Sequence, residues 1–150
     1  MIVFVLRHAD RAADDDLSAA GLRRAELLAR MLGETGVSIA YRSDARRAVR
    51  TLEPLEQMLG AALAVVEVGF PDQDGVEFHI TKIVDGIKAL PSDTVIAVVS
   101  HSNTVGPILE RLGTGPVGEI GPTEFDKLFV LFVGVQGPPT LLMLRYGAAS

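Results

Sequence analysis

The sequence has 150 residues, of which 48% are hydrophobic and 22% are charged, and its net charge at pH 7 is −5. This length and composition are typical of one globular domain with a core of its own. The acidic balance argues against nucleic acid or a membrane surface as a partner, and the absence of cysteine excludes disulfides and thiolate chemistry. Because the first apolar run is too short for a signal peptide or a membrane span, we expect a cytoplasmic protein.

Two strand–helix units open the chain. An apolar run rich in β-branched residues predicts a buried strand at 2–6, and apolar residues at helical spacing predict a helix at 19–34. A second, shorter strand is predicted at 37–41. The helix that follows, at 44–59, contains Pro54, where we expect a kink or a break because proline cannot complete the helical hydrogen-bond ladder.

The rest of the chain continues the alternation and then changes to strands alone. Its predicted elements are a strand at 63–68, a helix at 75–90, a strand at 94–99, a helix at 104–112, and strands at 128–133 and 140–145. Strands that alternate with helices are typical of a parallel sheet covered on both faces. The sequence therefore predicts an α/β fold in one three-layer α/β/α domain, residues 1–150, with a mainly parallel sheet and a C-terminal antiparallel strand pair.

Arginine and histidine side chains follow three of the predicted strands directly. Arg7 and His8 follow the first strand, Arg46 and Arg47 come shortly after the second, and His101 follows the strand at 94–99. In open α/β sheets, ligands bind beyond the carboxyl ends of the parallel strands. If these three ends meet, two imidazoles and at least two guanidiniums share one pocket.

Such a pocket suits a phosphoryl group. Guanidinium forks bind phosphate oxygens bidentately, and a neutral histidine can attack phosphorus and form a phosphohistidine. Ser102 or Asn103 is the expected N-cap of the helix after His101, so backbone donors and Asn103 would add to phosphate binding. Taken separately, each feature also has an ordinary explanation: a surface Arg-His pair, a solvated helix face, or a histidine that caps a helix.

Four motifs in order carry a family resemblance. They are Val5-Leu6-Arg7-His8-Ala9, Leu17-Ser18-Ala19-Ala20-Gly21, the set Ser43, Arg47, Ala48 and Thr51, and Ser100-His101-Ser102. Together they resemble the histidine phosphatase superfamily, also called phosphoglycerate mutase-like, and in particular its compact phosphohistidine-phosphatase-like branch. The resemblance implies that His8 is the phosphorylated nucleophile and that Arg7, Arg47 and His101 bind the phosphoryl group. Arg46 is the alternative to Arg47 if the alignment shifts by one residue.

The general acid is the part of the family pattern that the sequence does not fix. Many members carry a carboxylic acid after the third strand, and the candidates here are Asp72, Asp74 and Glu77, with Asp10 as another possibility. Asp74 and Glu77 also have the spacing of a helix capping box, which would explain both residues structurally. A second departure from the family is Ser100, which stands where glycine is usual.

The resemblance implies a phosphatase that needs no cofactor, and because the sequence has no Asp/His spacing typical of metal sites, we expect no metal. The expected substrate is a phosphomonoester or a protein phosphohistidine, on a phosphorylated small molecule or a phosphoprotein. Two alternatives stay open, a phosphoglycerate-type mutase and a non-catalytic domain that binds a phosphorylated ligand. His79 lies in the predicted helix at 75–90, where we expect a surface or partly buried side chain that is no ligand.

Overall fold

The structure is a computed structural model that describes residues 1–70 and 75–150. Its elements are β1 (Ile2–Arg7), α1 (Ala19–Leu32), β2 (Ile39–Arg42), α2 (Arg46–Leu59), a short 3₁₀ helix (Gly60–Ala62), β3 (Ala64–Glu67), α3 (Gly75–Lys88), β4 (Val95–Ser100), α4 (Val105–Arg111), β5 (Lys127–Phe132) and β6 (Thr140–Arg145). Every predicted helix and strand has a counterpart here, with ends that differ by up to two residues.

The helix α2 has no break at Pro54, which is one of the two outcomes expected there. It continues through the proline, although this residue removes a backbone donor at a cost of about 3 kcal/mol. Leu52 and Leu55, on either side of the proline, are both fully buried. Because burying each leucine contributes roughly 1.5–3 kcal/mol, the packing of this face outweighs the missing hydrogen bond.

The six strands form one sheet in the order β3-β2-β4-β1-β5-β6. The pairs β2–β3, β2–β4 and β1–β4 are parallel, whereas β5 pairs antiparallel with both β1 and β6. The predicted fold class is therefore confirmed, including the antiparallel pair at the C-terminal end. The carboxyl ends of β1, β2 and β4 meet at one edge in the middle of the sheet.

Helices cover both faces of the sheet and hold this edge in place. Apolar side chains of α1 and α2, such as Leu28 and Leu52, pack on one face, and those of α3 and α4, such as Ile83 and Ile108, pack on the other. Within the described residues, no helix is long and apolar enough to cross a membrane.

Candidate active site

The two histidines that follow β1 and β4 lie side by side because of the strand register. Arg7 pairs with Ser100 across the parallel strands, so His8 and His101 are the first residues beyond the paired segments. The backbone amide of His8 donates to the Ser100 carbonyl at 2.9 Å, which extends the ladder by one step. The two imidazole centroids are 5.4 Å apart, and both side chains are buried.

His8 is held in one tautomer by its own neighbour. Its Nδ1 lies 2.8 Å from the Ala9 carbonyl, which can only accept, so Nδ1 carries the proton and Nε2 keeps its lone pair. The Ala9 amide in turn donates to Thr51 Oγ1 on α2 at 2.9 Å. Burial, together with the nearby Arg7 and Arg47, lowers the pKa of His8 to about 4. The ring is therefore a neutral base with a free lone pair at neutral pH.

His101 uses both of its ring nitrogens. Arg47 donates from Nη2 to Nδ1 at 3.3 Å, so the proton of His101 is on Nε2, which donates to Ser43 Oγ at 2.8 Å. The Phe70 ring lies against this imidazole, with centroids 3.8 Å apart. Burial, and after it the proximity of His8 and Arg47, lowers the pKa of His101 to about 2. This imidazole is also neutral and is fixed as a donor toward Ser43.

Arg7 is tied to the segment that precedes β5. Its Nη1 donates to the carbonyls of Gly121, Pro122 and Glu124 at 3.0–3.1 Å. Its guanidinium carbon lies 4.1 Å from the centroid of the Phe125 ring, which also flanks His8. Burial, and then the charges of Arg11 and Arg47, lower the pKa of Arg7. The clustered cations thus repel one another, as expected of a site that awaits an anion.

The register of α2 decides between the two arginines that the sequence left open. Arg47 points at His101, and its Nη1 is bonded to Asp15 Oδ1 at 2.5 Å. Arg46 instead pairs with Asp16 at 3.1 Å, and its side chain is 64% exposed. Geometry therefore favours Arg47 as the guanidinium beside the imidazoles.

The helix cap predicted after His101 is wrong. The N-cap of α4 is Thr104 rather than Ser102 or Asn103, and it makes no side-chain capping bond. Its hydroxyl accepts from the His101 amide at 3.0 Å instead. Asn103 is exposed, and no described hydrogen bond joins it to either histidine or to Arg7 or Arg47. Its role in phosphate binding stays a prediction without geometric support.

The described acid candidates are engaged elsewhere. Glu77 forms an ion pair with Arg111 on α4, and Asp10 forms one with Arg24 at 2.6 Å. Asp72 and Asp74 lie outside the described residues, so the capping box is not assessed. Within residues 1–70 and 75–150, no carboxylate is hydrogen-bonded to His8 or His101, and no group of three or more His, Asp or Glu residues is arranged to hold a metal.

His79 is fully buried, so the expectation of a surface or partly buried side chain is wrong. Its Nδ1 donates to the Gly69 carbonyl at 3.2 Å, and its Nε2 is 2.8 Å from Ser100 Oγ. Ser100 Oγ is in turn 2.6 Å from Thr104 Oγ1. The serine that replaces the family's usual glycine thus links His79 to the strand end that carries His101.

Three further residues contact the site: Ser43, Thr51 and Asp15. They differ in how far the sequence indicates them. Ser43 and Thr51 belong to the third motif and could have been assigned from it. Asp15 has no such signal, because it is one of three consecutive aspartates in a loop and only folding brings it to Arg47.

Residues 5–70 match the family model described as the histidine phosphatase superfamily (branch 1), which confirms the resemblance seen in the motifs. The matched range includes Arg7, His8 and Arg47, whereas His101 lies beyond it. A comparison with curated protein sequences finds no match.

Solved structures share the fold over nearly the whole chain. The protein histidine phosphatase SixA complexed with tungstate is 22% identical, with 97% of each chain covered and a TM-score of 0.67. A SixA protein from Agrobacterium tumefaciens is 20% identical, with 97% of each chain covered and a TM-score of 0.66. A mycobacterial glucosyl-3-phosphoglycerate phosphatase solved with VO₃ is 18% identical, with 97% of this chain and 99% of that chain covered and a TM-score of 0.68. At these identities the similarity shows a common fold.

Proposed function

We propose that the chain, whose residues 5–70 match the histidine phosphatase superfamily (branch 1), is a phosphatase of that family that works through a phosphohistidine on His8. One observation carries the proposal. The Nδ1–H of His8 is bonded to the Ala9 carbonyl, which leaves a lone pair on Nε2, and the ring lies 5.4 Å from the imidazole of His101, which Arg47 contacts through Nη2. A neutral nucleophile next to cationic donors is the arrangement that phosphoryl transfer to histidine needs.

The reaction has two balanced steps. In the first, the Nε2 lone pair of His8 attacks phosphorus, a P–N bond forms, and the bond to the leaving group breaks with its electron pair, so that this group takes a proton from solvent water. In the second, a water molecule attacks the phosphohistidine and gives up a proton to solvent, the P–N bond breaks, and inorganic phosphate leaves while the pair returns to Nε2. The Ala9 carbonyl stabilises the positive charge that the ring carries between the steps.

Arg7 and Arg47 supply the electrostatic part of catalysis directly, whereas His101, whose Nε2–H donates to Ser43 and whose Nδ1 accepts from Arg47, contributes by orienting Arg47. Charge develops on the equatorial oxygens of the transferred group, and cationic donors held in a buried pocket stabilise it. One such donor is typically worth about 3–4 kcal/mol, or roughly 100- to 1000-fold in rate. Of these three groups, Arg7 and Arg47 carry full charges, whereas His101 is neutral in the free site.

The substrate we propose is a phosphomonoester or a protein phosphohistidine. Relatives of the same fold were solved with tungstate and with VO₃, which are oxyanions similar to phosphate. Among the described acid candidates, Glu77 and Asp10 are held in ion pairs with arginines. This arrangement favours substrates with a good leaving group, such as a phosphoramidate, which needs little protonation by the protein.

Trapping the covalent intermediate tests the proposal. The protein is mixed with ³²P-labelled phosphohistidine peptide and with labelled aryl phosphate, and is then quenched in alkali. We expect a protein-bound label that is stable in alkali and lost in acid, together with release of inorganic phosphate. His8→Asn should abolish both signals and keep the thermal transition of the folded protein.

Other outcomes would replace the proposal. Tungstate binding without label or phosphate release would make the chain a binder of phosphorylated ligands. Faster interconversion of phosphoglycerate isomers than release of phosphate would make it a mutase. A label of full intensity in His8→Asn would remove His8 as the nucleophile.

A further inference from the structure

The loop between β1 and α1 brings a carboxylate to the edge of the site. Asp15 Oδ1 accepts from Arg47 Nη1 at 2.5 Å, and Asp15 Oδ2 accepts from the backbone amide of Arg46 at 2.9 Å. The second bond caps the first turn of α2, whose own N-cap residue, Ala45, has no capping side chain. Asp15 is therefore attached to α2 independently of the guanidinium that it holds.

Besides Asp15, Arg47 has only weaker contacts within the described residues, one of them the Phe70 ring, whose centroid lies 5.9 Å from the guanidinium carbon. Its Nη2 reaches His101 at 3.3 Å, while its buried Nε has no hydrogen-bond partner within the described residues. Arg7 lies in the same site, and the charges of the two guanidiniums repel each other. Without a counter-charge on its outer side, Arg47 would gain by turning its head out to water, since side chains of this length keep considerable rotamer freedom.

We propose that Asp15 is a positioning residue, which anchors Nη1 of Arg47 on the outer side so that Nη2 is aimed into the space between His8 and His101. A carboxylate anchored by a backbone amide fixes the orientation of a planar guanidinium, because the two terminal nitrogens lie in one plane. The inference rests on the proposed function for its catalytic meaning, but its geometric content concerns the binding of an oxyanion alone.

The opposite reading is that Asp15 competes with the substrate. A carboxylate on Arg47 resembles one edge of a phosphoryl group, and an incoming anion would have to displace it. The two readings predict opposite signs. Removing a positioning residue weakens oxyanion binding, whereas removing a competitor strengthens it. The placement of Asp15 on the far terminal nitrogen from His101 favours positioning.

The test uses Asp15→Asn, with Asp16→Asn as the matched control. An asparagine has one acceptor oxygen, which can still cap the Arg46 amide, so the helix is retained while the charge facing Arg47 is lost. Asp16 lies in the same loop and carries the same charge, but it pairs with Arg46 and Arg50 on the outer face. Comparing the two variants removes the general effect of one lost negative charge.

Tungstate affinity is measured by calorimetry, and kcat and KM are measured with an aryl phosphate. We expect Asp15→Asn to bind tungstate about 10-fold more weakly than Asp16→Asn, which is about 1.4 kcal/mol, and to lose kcat/KM by a similar factor. Equal affinity in the two variants, or tighter binding in Asp15→Asn, would overturn the inference. If the wild type shows no turnover, the proposed function fails, while the tungstate comparison still decides the role of Asp15.

Discussion

The site has two halves, Arg7 with His8 at the end of β1, and Arg47 of α2 with His101 after β4, and their arginines are held by different kinds of partner. Arg7 donates to three backbone carbonyls between Gly121 and Glu124, all of them neutral. Arg47 is held by a half-exposed carboxylate, Asp15, and by an imidazole. The first guanidinium is part of the framework of the fold, whereas the second depends on side chains that can move.

The imidazoles differ in the same way. His8 is bonded through Nδ1 to the carbonyl of its own neighbour, and no described residue is bonded to its Nε2. Both nitrogens of His101 have side-chain partners, Ser43 and Arg47. Only His8 has a lone pair without a partner among the described residues, so we assign the nucleophile to the half formed by Arg7 and His8. The half formed by Arg47 and His101, which is held by side chains, serves to bind the charge of the phosphoryl group.

We expect the largest loss of activity and stability when Arg7 is replaced. Arg7→Gln removes a charge from the site and leaves three carbonyls without their common donor. We expect kcat/KM to fall about 100- to 1000-fold, and the free energy of unfolding in urea to fall by about 1–3 kcal/mol. Unchanged stability would show that the segment at 121–124 is held without Arg7 and would remove the distinction between the halves.

The same substitution at Arg47 should lower activity and leave stability almost unchanged. Arg47→Gln is expected to lower kcat/KM by about 100-fold but to change the free energy of unfolding by less than about 1 kcal/mol, since its ion pair with Asp15 is partly exposed. Arg46→Gln is the matched control, because it removes the same charge one residue away, and both values should stay near those of the wild type. The reverse result, an inactive Arg46 variant beside an active Arg47 variant, would favour the alternative register.

Much of this site could be predicted because strand ends obey simple rules. Parallel strands place their carboxyl ends at one edge, so the residues after β1, β2 and β4 had to meet, and the motifs supplied the register of Arg47 and His101. Local turn chemistry predicted less well. The N-cap of α4 is Thr104 rather than Ser102 or Asn103, and its hydroxyl accepts from the His101 amide instead of capping the helix.

Contacts between distant segments were not accessible from the sequence. The burial of His79 follows from how α3 packs on the sheet, and its partner Ser100 is 21 residues away. Asp15 reaches Arg47 across 32 residues, and nothing in three consecutive aspartates indicates which one turns inward. The sequence shows the local cost of Pro54 but not the burial of Leu52 and Leu55 on the same helix, so it could not exclude a break there.

The hydrogen bond between His79 and Ser100, the residue before His101, can be tested with Ser100→Ala. This change leaves the buried Nε2 of His79 without a donor, and we expect the free energy of unfolding to fall by about 1–3 kcal/mol. His79→Leu alone should also destabilise, because it leaves the Ser100 hydroxyl with one partner fewer. The double variant should lose less than the sum of the two, as removing both partners leaves no unpaired group. Strict additivity, measured by urea unfolding, would show that the two side chains do not interact.

The last prediction concerns protonation of the two histidines, and its effect on the free energy of unfolding over one pH unit is small. Unfolded histidines titrate near 6.5, whereas the pKa is about 4 for folded His8 and about 2 for folded His101. Between pH 6.5 and 4 the unfolded chain therefore binds more protons at both positions, so stability is complete above pH 6.5 and is lost as the pH falls. Each histidine should contribute about 1 kcal/mol of that loss between pH 6 and 5.

Urea unfolding from pH 7 to 5 measures how steeply the free energy of unfolding depends on pH. This slope should be smaller by about 1 kcal/mol per pH unit in His8→Asn than in the wild type. Imidazole shifts in an NMR titration then separate the halves, since His8 should be half-protonated near pH 4 while His101 is still neutral. Titration of either ring near 6.5 would contradict the neutral pair. The order matters because the ring that takes up a proton first has the more basic lone pair in the folded state, and this is the property that a nucleophile facing phosphorus requires.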